Sequence, residues 1–590
     1  MSDAIQPEKK TLTVADWWTA FIAINSTATR WPGALRAALA ILIPGSIAML
    51  TGNKEAILLI CAGAFTVIYG EGIVYRKRWK VMAVAGALLW LGASVGALVG
   101  TLVFAPGNGH WWLLLTALFV TVLGAGVVFI QNAVRLPPPG GFFIVMVTGG
   151  STMLARSGID PLEAAFWPLT AIATALVLGM LPALIDPHGP ERATVATLER
   201  TAKVFEESKD DELARHHQAQ TALATAWEAL ADAGIVRAGR VVIASQSDLV
   251  ERTLNAQRSI VKHNRSGVDA SSEALFESAN LLDPERTVMP HSRPTARYRI
   301  YRSLTADSHA MVTAKKVAVA GLATGVIGVA LGLNRPDWGV ISALLILQNG
   351  PEKIPGTIRG THRVLGSILG LGLFALFYFF GVEGWTLLAA LAICQFFAEI
   401  MVVKNYALCV IFSTPLALLM GGISEPLGDL VVSRIAEIAL SVAFAFLVLW
   451  FMSNGSKARE YMRLQLRSYQ SMSTVLGSLL TGKPDVALVQ RRDLQYELLS
   501  ERRAIQTLAL DHPEQAQQHW EKHRAIQHAG YQILDYCSLS PNVMMEYGAL
   551  GALIESVRKG RTGAIREAVG GMRAVFSAQT PYLWITWPVG

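Results

Sequence analysis

Twelve apolar runs dominate this chain, and they come as two sets of six. The first set lies near 33–51, 56–70, 81–105, 112–131, 140–155 and 162–185. The second lies near 314–333, 338–350, 364–381, 385–403, 406–420 and 431–453. Only 16% of the 590 residues are charged, against about 25% in a soluble domain. The runs therefore predict an all-α polytopic membrane protein. Polar stretches with helical periodicity join and follow the two sets. The expected organisation is an N-terminal cytoplasmic segment 1–31, a first six-helix membrane half 32–185, a cytoplasmic helical domain 186–312, a second six-helix half 313–453, and a cytoplasmic helical domain 454–590.

The sequence pI is about 9.2, which raises nucleic acid as a partner. The charge is placed wrongly for that. Residues 186–307 hold 16 Lys/Arg against 18 Asp/Glu, and 453–590 hold 16 against 12. Neither soluble region is a basic patch, so no nucleic-acid partner is expected. Much of the positive excess sits in short loops between apolar runs. With a cytoplasmic N-terminus, the inner loops carry Arg76, Lys77, Arg78, Lys80, Arg135, Lys353, Arg359, Arg363 and Lys404, and the outer loops carry Lys54, Arg156 and Arg335. The positive-inside rule then predicts both termini in the cytoplasm. The start "MSDAIQPEKKTLTVADWW" has no apolar signal region, so the first span is expected to direct insertion.

The halves resemble each other. In both, a short apolar run is followed by a turn, a basic cluster and a long run. Arg76 and Lys80 are spaced like Arg359 and Arg363, and "GIDPL" from Gly158 matches "GISEPL" from Gly422, each before the last span of its half. Six spans per half give both copies the same orientation, so the prediction is a parallel repeat about an axis along the membrane normal. The run Trp338–Gly350 is 13 residues long. As a helix it rises roughly 20 Å, too little for a hydrocarbon core of about 30 Å. It must sit against protein or a water-lined cavity, or lie in a thinned bilayer. Short segments at matching places in two halves are the sequence mark of a transport site.

Charged residues in apolar runs are the candidate site residues, because each costs roughly 2.5–3.5 kcal/mol to insert. Glu399, with Gln395 one turn earlier, is a candidate for proton coupling; the competing reading pairs it with Lys404 or an inner-loop arginine. Arg434 and Glu437 are spaced to meet on one helix face. They are read either as a structural ion pair or as an anion exit site with Glu437 titrating. Arg36, one turn into the first span, is read as snorkelling to the surface or as touching substrate. Arg359 and Arg363 share a helix face at the inner mouth. They either set topology or bind a carboxylate through paired guanidiniums. Trp338, Phe396 and Phe397 are available as an aromatic wall.

"W…LLILQ…TIRGTHRVLGSILG", with Trp338, Gln348, Thr357, Arg359, Arg363, Gly366 and Gly370, resembles the fusaric-acid-resistance family, which includes bacterial aromatic-acid exporters. "STPLALL" from Ser413, the last span with Arg434, and the plan of six spans, soluble helices, six spans and tail match it too. The linker from Gln348 to Thr357 is longer than that family's pattern. The resemblance implies efflux of small organic anions or hydrophobic toxicants across a bacterial inner membrane. It brings Gln348 among the substrate contacts, a periplasmic adaptor as partner, and a homodimer as assembly. Plant malate channels are similar in their membrane part, so an anion channel stays open. So does a scaffold or regulatory subunit acting through its soluble helices.

Nothing points to an enzyme or a cofactor. "GSLLTGKP" from Gly477 imitates a phosphate-binding loop, but Pro484 stands where Ser or Thr would hold Mg²⁺, and a helix, not a strand, precedes it. "RHHQ" from Arg215 reads as a solvated helix face. Cys61, Cys394, Cys409 and Cys537 lack metal-ligand spacing and read as small core residues.

Overall fold

The structure is a computed structural model describing residues 30–207, 212–237, 240–265, 294–420, 427–452, 455–539 and 544–561 apart from 549, 552, 556 and 559. The N-terminal segment, the second "GISEP" turn and the terminal "PYLWITWPVG" lie outside them. The described chain is almost wholly helical. It divides into a membrane unit, residues 1–190 with 296–454, and a polar unit, residues 191–295 with 455–590. The soluble stretches that the sequence separates thus fold together.

The first half of the membrane unit holds α1 Trp31–Leu50, α2 Ala56–Ala64 (continued by a 3₁₀ turn to Gly70), α3 Tyr75–Val103, α4 Leu113–Val134, α5 Phe142–Ser151 and α6 Pro161–Met180. In the polar unit follow α7 Gly189–Glu206, α8 Glu212–Ala233, the two-residue strands β1 Val236–Arg237 and β2 Arg240–Val241, which pair antiparallel, and α9 Ser247–Arg265. The second membrane half holds α10 His309–Ala330, α11 Pro336–Leu347, α12 Lys353–Phe379, α13 Gly384–Met401, α14 Tyr406–Met420 and α15 Leu427–Phe451. The polar unit is completed by α16 Ser456–Thr481, α17 Leu488–Asp511 and α18 Pro513–Leu539.

Among the described residues, eight of the membrane helices are long and apolar enough to cross a bilayer, and four apolar helices are shorter. The order long, short, long, long, short, long occurs in both halves. Packing repeats with it. Within a half, the second helix packs on the sixth and the third on the fifth. Between halves, α4 packs on α10 as α13 packs on α1, and α5 meets α11 as α14 meets α2. Each half thus presents its fourth helix to the other's first.

The short second helix of each half is encased in protein. Of the nine residues of α2 only Leu58 escapes full burial, and in α11 only Trp338 and Leu345 do. Lipid would leave the ends of such helices without hydrogen-bond partners; here side chains supply them. Gln348 O, at the end of α11, accepts from Gln131 Nε2 at 3.0 Å and Asn132 Nδ2 at 2.9 Å. Ile346 O accepts from Arg359 Nη1 at 2.8 Å. Gln131 Oε1 accepts from Gly141 N at 2.8 Å. Gly350 leaves α11 at φ 154°, open to glycine but rarely to other residues, and lets α12 begin three residues later. The linker after Gln348 is therefore one tight turn.

In the polar unit Leu223, Trp227 and Leu230 face the core as their spacing requires, and Trp227 Nε1 donates to Gln257 Oε1. On α16 the buried stripe is Tyr461, Leu464, Ser468, Met472, Leu476 and Leu479. Met462 and Leu466, which the apolar spacing placed on that face, lie at its edge. "RHHQ" is not a solvated face: His216 is buried, its ring stacked on Phe205 at 4.9 Å and tilted against Tyr531 at 4.6 Å. Gly477 of the loop imitating a phosphate site lies inside α16. Cys61, Cys394 and Cys537 are buried and Cys409 partly so, all four as free thiols.

Candidate functional site

Charge inside the membrane unit gathers in two places. The first lies where each short second helix ends. Arg36 of α1 donates to Glu71 Oε1 at 2.6 Å, and Arg78 of α3 reaches the same oxygen at 3.3 Å. Arg36 does not snorkel free; a carboxylate holds it within the unit. The matching carboxylate in the second half is Glu352. Its Oε1 lies 3.6 Å from His309 Nδ1, and it stands close enough to Arg359 to act on it electrostatically. Glu71 precedes Arg78 by seven residues, and Glu352 precedes Arg359 by seven. Arg78, not Arg76, is thus the counterpart of Arg359. Lys316 of α10, buried, donates to Pro351 O at 3.0 Å and Leu449 O at 3.4 Å.

The second place belongs to the second half. Arg434 and Glu437 of α15 are both buried and pair at 3.4 Å, as their spacing predicts. The Arg434 guanidinium also lies 3.7 Å from the centroid of the Trp338 ring. Arg335 approaches that ring at 5.0 Å and is held by Asp337, itself fully buried, at 3.1 Å. So Trp338 is no bare wall: it carries a cation on its face. Phe397 stacks instead on Phe412 of α14.

Arg363 lies deeper along α12 than Arg359. It is ten residues into α12, and its Nη2 donates at 3.3 Å to Ser342 Oγ, midway along α11. Tyr406, at the start of α14, lies near both Arg363 and Arg359. Arg363 Nε and Ser367 Oγ, one turn on along the same face, are buried without a hydrogen-bond partner, and so are Arg434 Nε and Gln348 Oε1. The Gln348 side-chain oxygen is thus left over while its carbonyl closes the helix. Glu399 meets Arg30 at 3.9 Å, across the boundary between the halves, and not Lys404. Gln395 is buried on the same helix.

The structure therefore brings Arg363, Arg434, Glu437 and Trp338 into one electrostatic neighbourhood. Arg36 belongs with Glu71, in the other half. The spacing signal overlooked Glu71, Arg78, Lys316, Asp337 and Ser342. Glu71 and Asp337 could have been found as single carboxylates flanking the short runs. No signal marks Ser342, a small residue in an apolar segment.

Residues 322–448, which span most of this second half, match the family described as fusaric acid resistance protein-like. A protein of Bacillus subtilis (strain 168) named as the uncharacterized membrane protein YvaC is 23% identical over 573 residues, covering 87% of this chain and 86% of its own length. No solved structure matches the chain. The chain thus resembles the fusaric-acid-resistance family, and the two likenesses support a multi-pass membrane protein concerned with transport.

Proposed function

We propose that this protein exports small organic anions, aromatic or hydrophobic carboxylates, from the cytoplasm across a bacterial inner membrane. The observation that carries this reading is the cationic interior of the second half. Arg434 and Arg363 are buried inside membrane-crossing helices, 4% and 5% exposed, and Arg434 lies over the Trp338 ring. Charge at that depth is costly and marks an ion or substrate path. Guanidinium groups suit carboxylates, and an aromatic surface suits an apolar body. The membrane potential favours exit of a monovalent anion by about 2.3 kcal/mol per 100 mV, so ATP is not required. Glu399 and Glu437 are the carboxylates placed to carry a coupled proton. A channel of the malate type uses the same interior without a proton. A scaffold has no use for it.

Uptake of aromatic acids into inside-out vesicles, with the proton gradient imposed and collapsed, tests the reading. Accumulation that needs the gradient supports a coupled exporter. Flux that follows the potential alone supports a channel. The absence of flux for every acid would overturn both.

A further inference from the structure

The membrane-crossing helices contain four fully buried cations among the described residues: Arg78, Lys316, Arg363 and Arg434. Three have their charge answered. Arg78 meets Glu71 at 3.3 Å and Arg434 meets Glu437 at 3.4 Å. Lys316 donates to Pro351 O, in the turn between α11 and α12, and to Leu449 O in the last turn of α15, where the helix dipole places negative charge. Among the part-buried arginines Arg30 meets Glu399, Arg335 meets Asp337, Arg36 shares Glu71 with Arg78, and Arg359 donates to Ile346 O near Glu352.

Arg363 differs. Its contacts are a hydroxyl, Ser342 Oγ at 3.3 Å, with the Tyr406 phenol and the Cys409 thiol near it. No carboxylate among the described residues pairs with it, and it lies beside the middle of α11 and the N-terminal turn of α14, where no helix dipole places negative charge. Its Nε and the neighbouring Ser367 Oγ are donors with nothing to receive them. A buried, unanswered guanidinium is costly, and an arriving anion relieves that cost.

We infer that Arg363 is the substrate-contacting cation, and that it selects anions bearing a single negative charge. This rests on the transport reading and narrows it. Arg363 Nε, with Ser367 Oγ, receives one carboxylate. A second carboxylate on the same ligand finds no free cation, because Arg434 is held by Glu437 and Arg359 by Ile346 O and Glu352.

The full chain reconstituted in proteoliposomes tests this at neutral pH with benzoate, the dianion phthalate and neutral benzamide. Wild type should carry benzoate roughly tenfold or more faster than phthalate, since an unpaired second charge costs at least a factor of that size. Arg363→Gln should lose benzoate flux by a similar factor, and Arg363→Lys should recover part of it. In detergent, benzoate should raise the Tm of wild type and leave that of Arg363→Gln unmoved. Without ligand, Arg363→Gln should melt no lower than wild type, because it removes an unmatched buried charge. A lower ligand-free Tm with benzoate flux retained would make Arg363 a structural cation and overturn the inference. Equal phthalate and benzoate flux would overturn the single-charge selection. A benzoate-induced Tm rise that needs Arg363, with no flux of any probe, would uphold the site and sink the transport reading.

Discussion

Arg30 Nη1 lies 3.9 Å from Glu399 Oε2, so a carboxylate of the second half is answered by a cation at the start of the first. The pair sits where α1 packs along α13, a contact repeated by α10 and α4. Its coupling is measured by a double-mutant cycle of Arg30→Gln and Glu399→Gln, read by thermal unfolding in detergent. We expect an interaction of roughly 0.5–1 kcal/mol, because both side chains retain some exposure. The corresponding cycle of Glu399→Gln with Lys404→Gln should give none. The reverse result would assign Glu399 to Lys404.

Gly366 and Gly370 let α12 lie against the backbone of α14. A Cβ on Gly366 would stand 2.6 Å from Ala407 O, and one on Gly370 would stand 2.8 Å from Ile411 O. Small residues at helix contacts are what holds membrane helices together, since lipid offers no hydrophobic drive between them. Gly366→Val should therefore destabilise the membrane unit by roughly 1–3 kcal/mol. Gly372→Val, two residues on, meets open space and should cost under about 1 kcal/mol. Equal losses would refute the close contact.

Gln131 closes two backbone groups at once, accepting from Gly141 N and donating to Gln348 O. Gln131→Leu strands the Gly141 amide and leaves Gln348 O to Asn132. We expect a loss of roughly 1–3 kcal/mol in unfolding free energy. Asn132→Leu should cost less, since Gln131 still reaches the same carbonyl. A larger loss for Asn132→Leu would reverse the assignment.

His216 of the polar unit has its pKa lowered from 6.5 to about 4, first by burial and then by repulsion from His528, His263 and Arg502. The folded unit keeps this ring neutral where the unfolded chain protonates it. Its contribution is complete above pH 6.5 and is lost as pH falls towards 4, at about 1.4 kcal/mol per pH unit. Hydrogen exchange of α8 amides in the full chain, corrected for intrinsic rates, should show protection falling through this window. His216→Phe should flatten the profile. An unchanged profile would exclude His216 as its source.

Orientation is tested by an impermeant maleimide on intact cells, using single cysteines at exposed positions of a chain otherwise free of them. With the polar unit inside, Thr225→Cys and Glu521→Cys stay unlabelled and Lys54→Cys reacts. Labelling of the first two would invert the topology.

The two-halves plan was legible because membrane insertion writes itself into composition. Lipid requires long apolar segments, and the six-plus-six order and the brevity of Trp338–Gly350 are counts along the chain. The Arg434–Glu437 pair was legible too, since three residues on one helix fix a distance. Neighbours from different helices were not. Arg30 with Glu399, Arg434 with Trp338, and Gln131 with Gln348 are separated by hundreds of residues or by other spans, and no local period links them. Arg363 shows the limit most clearly. Its place one turn after Arg359 marks it as a twin of that residue, and along the chain nothing separates them. Sequence alone determined that this chain enters a membrane as helices in two like halves, because hydrophobicity and helix rise are properties of segments. Only the tertiary structure decided that Arg359 closes the end of α11 while Arg363 meets its middle without a counter-charge, because whether a buried charge is answered depends on what the other helices bring to it.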